Sequence, residues 1–120
     1  MTTVTRPTGG GATGDPEEPI RVAQVEIRPR EGMAVVGGRA VPLSVREFAL
    51  LSALARRSGH VIAREELFST VWGGTLRRGD RSIDVYVHKL RQKLEAAAPG
   101  WTFIHTHVGF GYRFAPEPSV

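Results

Sequence analysis

The residues of this chain best suited to chemistry lie between positions 81 and 94, in RSIDVYVHKLRQKL. If each residue is placed 100° after the last, four apolar side chains share one stripe of a helix, which predicts its core face: Ile83, Val87, Leu90 and Leu94. The opposite side carries Arg81, Val85, His88, Lys89 and Gln92. Cations, amide and imidazole groups and one small apolar residue can bind the phosphates and base edges of a DNA major groove. The alternative is a solvated surface helix with an incidental valine.

The flanks of this helix carry further polar groups, with Asp84 and Arg91 on one side and Ser82, Tyr86 and Lys93 on the other. Asp84 is a lone carboxylate between Arg81 and Arg91, and we predict that it pairs with these arginines and orients them. The sequence contains no nucleophile–base pair and no paired carboxylates in a plausible cleft. The chain is therefore not predicted to be an enzyme.

Two other patterns have alternative interpretations. His105 and His107 could share a strand face and bind a metal, but no third ligand lies close in sequence, so a position near DNA is preferred. Gly109-x-Gly111 is superficially similar to a phosphate-binding loop, but it lacks a third glycine and no helix follows. We predict no metal and no cofactor.

Charge and composition are consistent with a polyanion partner. Residues 1 to 19 carry a net charge of −2, which leaves +6 on the remainder of a chain of 120 residues with no cysteine. Local excess positive charge is typical of nucleic-acid binding, although it also occurs on ordinary solvated surfaces. No apolar run reaches the roughly 18 residues that a membrane span needs, and the N-terminus lacks the apolar region of a secretory signal. We predict a cytoplasmic protein with no membrane partner.

The elements that position these residues can be predicted from pattern. A disordered tail is expected over residues 1 to 19, one folded domain over 20 to 115 and a C-terminal tail over 116 to 120. The domain should begin with one broken strand or two short strands over 20–29, followed by a β-hairpin over 33–43 that turns at two glycines. A closing hairpin is expected over 101–114.

Three helices are expected between the hairpins, over about 45–58, 64–72 and 81–97. The first should begin at a capping box formed by Ser44 and Glu47, and the second has two glutamates in its first turn. A flexible, basic loop should span 73–80. The fold class is therefore α+β: an N-terminal antiparallel sheet, three helices and a C-terminal hairpin.

Several of these segments, in order and spacing, resemble the DNA-binding effector domain of OmpR/PhoB-type response regulators. They are LSVREFALLSALARRSGHVIAREELFSTVWGG, DRSIDVYVHKLRQKLE and IHTHVGFGYRF, and the resemblance covers residues 20 to 115. It implies a winged helix-turn-helix whose third helix enters the major groove and whose hairpin, the wing at about 103–114, lies near the minor groove. It does not cover a receiver domain, so the chain is either a stand-alone effector domain or a fragment of a longer regulator.

The resemblance implies a sequence-specific double-stranded DNA-binding transcription regulator. Because one domain buries little DNA surface, we expect two copies on repeated half-sites. Arg81 and Arg91 would hold phosphates, and Lys89, Val85 and His88 would meet bases. The wing would contribute Thr106, His107 and Tyr112. The remaining DNA-binding candidates are Tyr86, Gln92 and Lys93. Thr75, Leu76, Arg77 and Arg78 match a loop that touches RNA polymerase in some members of the family.

The chain departs from the family pattern at three places. Val108 stands where the wing often has arginine, Tyr86 and His88 stand where histidine and arginine are common, and Ala63 replaces a capping serine. The reduced charge of the wing favours a second hypothesis, a winged-helix protein–protein module that binds polymerase or another factor through the 73–80 loop or the sheet.

Overall fold

The computed structural model describes residues 17–119, which begin with a four-stranded antiparallel sheet in the order β1-β2-β3-β4. Its strands are β1 (Ile20–Val22), β2 (Val25–Arg28), β3 (Met33–Val36) and β4 (Arg39–Val41). The pattern over 20–29 thus resolves into two short strands, because Ala23 adopts a positive φ of 53° and turns the chain. Residues 1–16 of the predicted tail lie outside the described residues.

Helix α1 (Val45–Arg56) begins where the capping box predicts. The Glu47 amide donates to Ser44 Oγ at 3.2 Å, and the Ser44 amide donates to Glu47 Oε1 at 2.8 Å. The helix ends two residues before the predicted position. Arg57 is its C-cap residue, and the Gly59 amide just beyond donates to the carbonyl oxygen of Phe114 at 2.8 Å.

The helix-turn-helix consists of α2 (Arg64–Val71) and α3 (Ser82–Ala97). Ala63 occupies the N-cap of α2 without a side-chain hydrogen bond, as its apolar methyl group requires. Helix α3 buries the four residues predicted for its core stripe, Ile83, Val87, Leu90 and Leu94.

A second sheet, in the order β5-β7-β6, contains the wing. Strand β5 (Val61–Ala63) pairs with β7 (Gly111–Pro118), and β7 pairs with β6 (Trp101–His107). Residues 116–118 belong to β7, so the predicted start of a C-terminal tail at 116 is too early. Proline is tolerated at 116 and 118 because β5 pairs only with residues 111–113, so no strand of the described residues lies along that edge of β7 at the two prolines.

One continuous core joins the two sheets and the helices. The first sheet contributes one face, including Val25, Ile27 and Val36, and the second contributes Phe103, Ile104 and Phe114. The alternation of buried and half-buried residues along β2 and β3 shows why a period of two identifies this face. Between residues 17 and 119, no helix is both long enough and apolar enough to cross a membrane.

Candidate nucleic-acid interface

The outer face of α3 is the surface that the sequence predicts. All five residues assigned to it are exposed: Arg81, Val85, His88, Lys89 and Gln92. The opposite stripe is fully buried, so the helix cannot rotate without breaking the core. The polar and cationic side chains therefore lie on a fixed, solvent-facing surface.

The start of α3 is fixed by Asp80, which the sequence analysis did not identify. Asp80 Oδ1 accepts from the Ser82 amide at 2.8 Å and from the Ser82 hydroxyl at 2.6 Å. These two hydrogen bonds are the main reason that the pKa of Asp80 is lowered. Arg81 is the N-cap residue of α3, and its side chain is 77% exposed, with only an ion pair to Asp84 at 3.6 Å. The cation predicted to hold phosphate thus stands at a capped helix terminus.

Asp84 connects three elements, but its main partner differs from the prediction. Arg64, the first residue of α2, donates to both carboxylate oxygens of Asp84 at 3.2 and 2.9 Å, and Arg81 lies 3.6 Å away. The Tyr112 hydroxyl of β7 donates to the same carboxylate. Burial raises the pKa of Asp84, but the hydrogen bonds from Tyr112 and Arg64 outweigh burial and lower it. Asp84 therefore stays ionised and ties α2, α3 and the wing together.

Arg91 binds the wing. Its Nε donates to the Ile104 carbonyl oxygen at 3.0 Å, its Nη2 donates to Thr106 Oγ1 at 2.6 Å, and its guanidinium lies 5.8 Å from the centre of the Tyr112 ring. The sequence analysis predicted that Arg91 pairs with Asp84, and this prediction is wrong, because Arg91 binds β6 instead. The predicted phosphate contact of Arg91 would compete with these bonds, which brace the wing against α3.

Tyr86 and Lys89 belong to a row of stacked groups. Lys89 Nζ lies 4.9 Å from the centre of the Tyr86 ring, Tyr86 packs edge-on against Trp72 at 5.4 Å, and Trp72 stacks on Phe68 at 5.4 Å. The guanidinium of Arg46 also lies over the Trp72 ring, 5.3 Å from its centre. Trp72 is half-buried and packs against the hydrophobic core. A cation over an aromatic face gains about 0.5–1 kcal/mol when exposed, so this row favours a defined position for Lys89.

Lys93 is directed inwards. Its ammonium lies 2.7 Å from Oε1 of Glu47, the capping residue of α1, which is only 3% exposed. Burial raises the pKa of Glu47, but the hydrogen bonds from Lys93 and the Ser44 amide outweigh burial and lower it. The structure thus gives Lys93 a partner within the protein, between α1 and α3.

The three wing candidates differ in accessibility. Thr106 is exposed and accepts from Arg91, while His107 Nε2 accepts from Arg113 Nε at 3.0 Å. Tyr112 is buried, and burial first, then its bond to Asp84, raises its pKa to about 12. Thr106 and His107 lie on the wing surface, whereas Tyr112 faces the junction of the wing with α3.

The segment joining α2 to α3 presents two arginines to solvent. Thr75, Arg77 and Arg78 are exposed and Leu76 is half-buried. The Asp80 amide donates to the Arg77 carbonyl oxygen at 3.0 Å and closes a turn at the end of the loop. The loop is therefore basic, as predicted, and leads directly into Arg81 at the start of α3.

The two histidines considered as metal ligands, His105 and His107, both lie within the described residues 17–119. His105 Nε2 lies 2.7 Å from the Ala115 carbonyl oxygen, and His107 accepts from Arg113. No group of three or more histidine, aspartate or glutamate side chains in this part of the chain is arranged to hold a metal.

Comparison with known proteins identifies the family. Residues 38–114 match the family described as "Transcriptional regulatory protein, C terminal". The response regulator SaeR of Staphylococcus aureus is 32% identical over 99 residues, which are 82% of this chain and 43% of SaeR. The matched stretch thus spans less than half the length of this relative. The chain belongs to the family of OmpR/PhoB-type C-terminal domains of transcriptional regulatory proteins.

Solved structures agree with this assignment. The DNA-binding domain of CpxR from E. coli is 32% identical with a TM-score of 0.74, over 82% of this chain and 96% of that one. The RstA DNA-binding domain of Klebsiella pneumoniae, solved in complex with the RstA box, is 34% identical with a TM-score of 0.73, over 82% and 97% of the two chains. The fold is a winged helix, as the sequence analysis predicted.

Proposed function

We propose that this domain binds double-stranded DNA sequence-specifically and regulates transcription in the cytoplasm, with α3 in the major groove and the wing near the adjacent minor groove. The observation that carries the proposal is the exposed face of α3, held beside a wing that Arg91 braces. Family membership supports it, as does the RstA domain, which was solved with its DNA box.

The side chains divide into anchoring and reading groups. Arg81, at the start of α3, would hold phosphate, as its exposure permits. Lys89, His88 and Gln92 would meet base edges, and Val85 would contact a thymine methyl group. Thr106 would bind the DNA backbone, and Arg91, Lys93 and Tyr112 would act mainly by holding the frame.

A single winged helix buries a small area of DNA, so useful affinity requires two copies on repeated half-sites. The exposed arginines at positions 77 and 78 lie on the loop that leads into α3 and favour RNA polymerase as a second partner. If the protein–protein module were the main function, replacing both arginines with alanine would abolish partner binding, whereas changes on the outer face of α3 would have no effect.

The test begins with selection of duplexes from a randomised library, followed by fluorescence anisotropy of the selected duplex against a scrambled one. Tight, selective binding whose logarithm falls linearly with the logarithm of salt concentration is expected. Lys89→Ala should cost about 1–3 kcal/mol on the selected duplex and less on the scrambled one. Arg39→Ala, which removes an exposed charge from the first sheet, is the matched control. Equal affinity of wild type for both duplexes would contradict sequence-specific binding.

A further inference from the structure

The tip of the wing is an exposed apolar pair. Val108 is 87% exposed and Phe110 is 76% exposed, and the three residues between β6 and β7, Val-Gly-Phe, carry no charge. Neither apolar side chain contributes to the core. Neighbouring large apolar residues at a projecting tip commonly mark a contact surface.

The backbone of this tip is tightly constrained. The Phe110 amide donates to the His107 carbonyl oxygen at 2.8 Å, and Gly109 has a φ of 82°, the value that the third residue of a type II turn adopts. At the base of the turn, a Cβ on Gly111 would lie 2.0 Å from the Ile62 carbonyl oxygen. Strand β7 therefore runs directly against β5, and the tip projects from a packed base.

The wing is also fixed relative to α3 by two independent links. Arg91 joins α3 to Ile104 and Thr106 on β6, and Asp84 joins α3 to Tyr112 on β7. Between the tip and the start of α3 lies an open cleft whose polar lining includes Arg81 and Thr106 and also the carboxylates of Glu65 and Asp84, of which Asp84 is paired with Arg64 and Arg81. A DNA backbone separating a major groove from the next minor groove would pass through such a cleft.

We propose that Phe110, supported by Val108, enters the minor groove as an apolar wedge and partly unstacks a base step there. This inference rests on the proposed DNA binding. Apolar side chains that wedge between base steps bend DNA towards the major groove, and flexible pyrimidine–purine steps such as TA and CA open most easily. The wing then selects sequence through deformability rather than through a cation.

DNA is favoured over a protein partner because of what surrounds the tip. A wedge must transmit force to the double helix, and the links through Arg91 and Asp84 hold it rigidly beside the face of α3 that would occupy the major groove. His107 and Arg113, at the base of the tip, are hydrogen-bonded to each other. The residues of the tip therefore offer apolar contacts, while the two polar side chains at its base bind each other.

The experiment uses the duplex selected from the randomised library, labelled at both ends for energy transfer, with 2-aminopurine placed in turn at positions flanking the major-groove site. Wild type should shorten the end-to-end distance and raise 2-aminopurine fluorescence at one step. Phe110→Ala should abolish both signals and weaken binding about tenfold. The slope of affinity against salt should not change, because no charge is removed.

Val45→Ala is the matched control, since Val45 is 85% exposed and lies at the start of α1, away from the wing. It should bend and bind DNA as wild type does. If the TA or CA step of the duplex is replaced with a stiff A-tract, the DNA affinity of wild type should fall more than the DNA affinity of Phe110→Ala.

Unchanged bending and affinity in Phe110→Ala would overturn the wedge while leaving the proposed function intact. If that variant instead lost self-association in sedimentation while DNA bending was retained, the tip would be a protein contact and the wedge would again be overturned. Failure of wild type to select any duplex would remove the proposed function itself, and the wedge with it.

Discussion

Replacing Lys93 with alanine is expected to destabilise the fold, although the sequence analysis assigned this lysine to DNA contact. The Glu47 carboxylate is 3% exposed and accepts from Lys93 at 2.7 Å and from the Ser44 amide at 2.8 Å. Lys93→Ala leaves it buried with one donor fewer. Losing a partner costs a buried charged group about 1–3 kcal/mol, or about 3–5 kcal/mol for a fully buried ion pair.

The Lys93 side chain is 40% exposed, so water can replace part of the lost hydrogen bond. A loss of about 2 kcal/mol in the free energy of unfolding at pH 7 is therefore the expected magnitude. For a domain of this size, that corresponds to a fall of about 10 °C in Tm. Urea unfolding followed by the fluorescence of Trp72 and Trp101 measures it.

The pH dependence of the loss follows from the lowered pKa of Glu47. A carboxyl whose pKa is lower in the folded state contributes stability above its unfolded pKa, about 4.3, and that contribution disappears as pH falls through the folded value. Because Lys93 is a major cause of the lowering, the variant should lose most of this contribution. The deficit against wild type should be largest above about pH 5 and should shrink below about pH 4.

Two further variants make the reasoning refutable. Lys93→Ala combined with Glu47→Gln should regain most of the stability, because no unpaired charge remains buried and the glutamine can still accept from Ser44. Arg39→Ala should stay within about 0.5 kcal/mol of wild type. If Lys93→Ala kept its stability within that margin but lost DNA affinity, the lysine would be a DNA contact and the ion pair would contribute little.

Three other changes test separate parts of the structure. Because the Tyr112 pKa is raised to about 12 from an ordinary value near 10, wild type should lose stability as pH rises between those values, and Tyr112→Phe should lack this part of the loss in urea titrations. Gly111→Ala should lower Tm by well over 10 °C in a thermal melt, because the added Cβ would lie 2.0 Å from the Ile62 carbonyl oxygen. An unchanged Tm would contradict the close packing of β7 against β5. Arg81→Ala should leave stability within about 0.5 kcal/mol but reduce the salt slope of DNA binding by about one, and an unchanged slope would exclude a phosphate contact.

The parts of the fold that the sequence predicts depend on neighbours in the chain. Ser44 and Glu47 form the capping box three residues apart, and the buried stripe of α3 follows from helical spacing alone. The outer face of α3 is predictable for the same reason, since a helix with one buried stripe must expose the other side. The resemblance adds what periodicity cannot, namely the groove that each element would enter.

The partners of the charged side chains could not be predicted, because they are far apart in sequence. Arg64 reaches Asp84 across 20 residues, and Lys93 reaches Glu47 across 46. The sequence analysis paired Asp84 with its neighbours on the helix, Arg81 and Arg91; the ion pair with Arg81 is present at 3.6 Å, whereas Arg91 binds the wing. A weak signal existed for Arg64, a cation at the N-terminus of a helix where the dipole disfavours positive charge and where a compensating carboxylate is therefore expected.

The distribution of cations along α3 has a consequence for how the domain would read DNA. Arg91 and Lys93 are bound to the protein, whereas Arg81 and Lys89 face solvent. Arg81 would give up only its 3.6 Å ion pair with Asp84, and Lys89 only its contact with the Tyr86 ring. Of these four cations, two would therefore reach DNA without breaking a hydrogen bond, so the helix itself would add little to the salt slope. Specificity would then depend more on base contacts and on DNA deformation than on phosphate charge. The bonds of Arg91 to β6 would reduce the ordering needed on binding, because they already hold the wing in a fixed position beside α3.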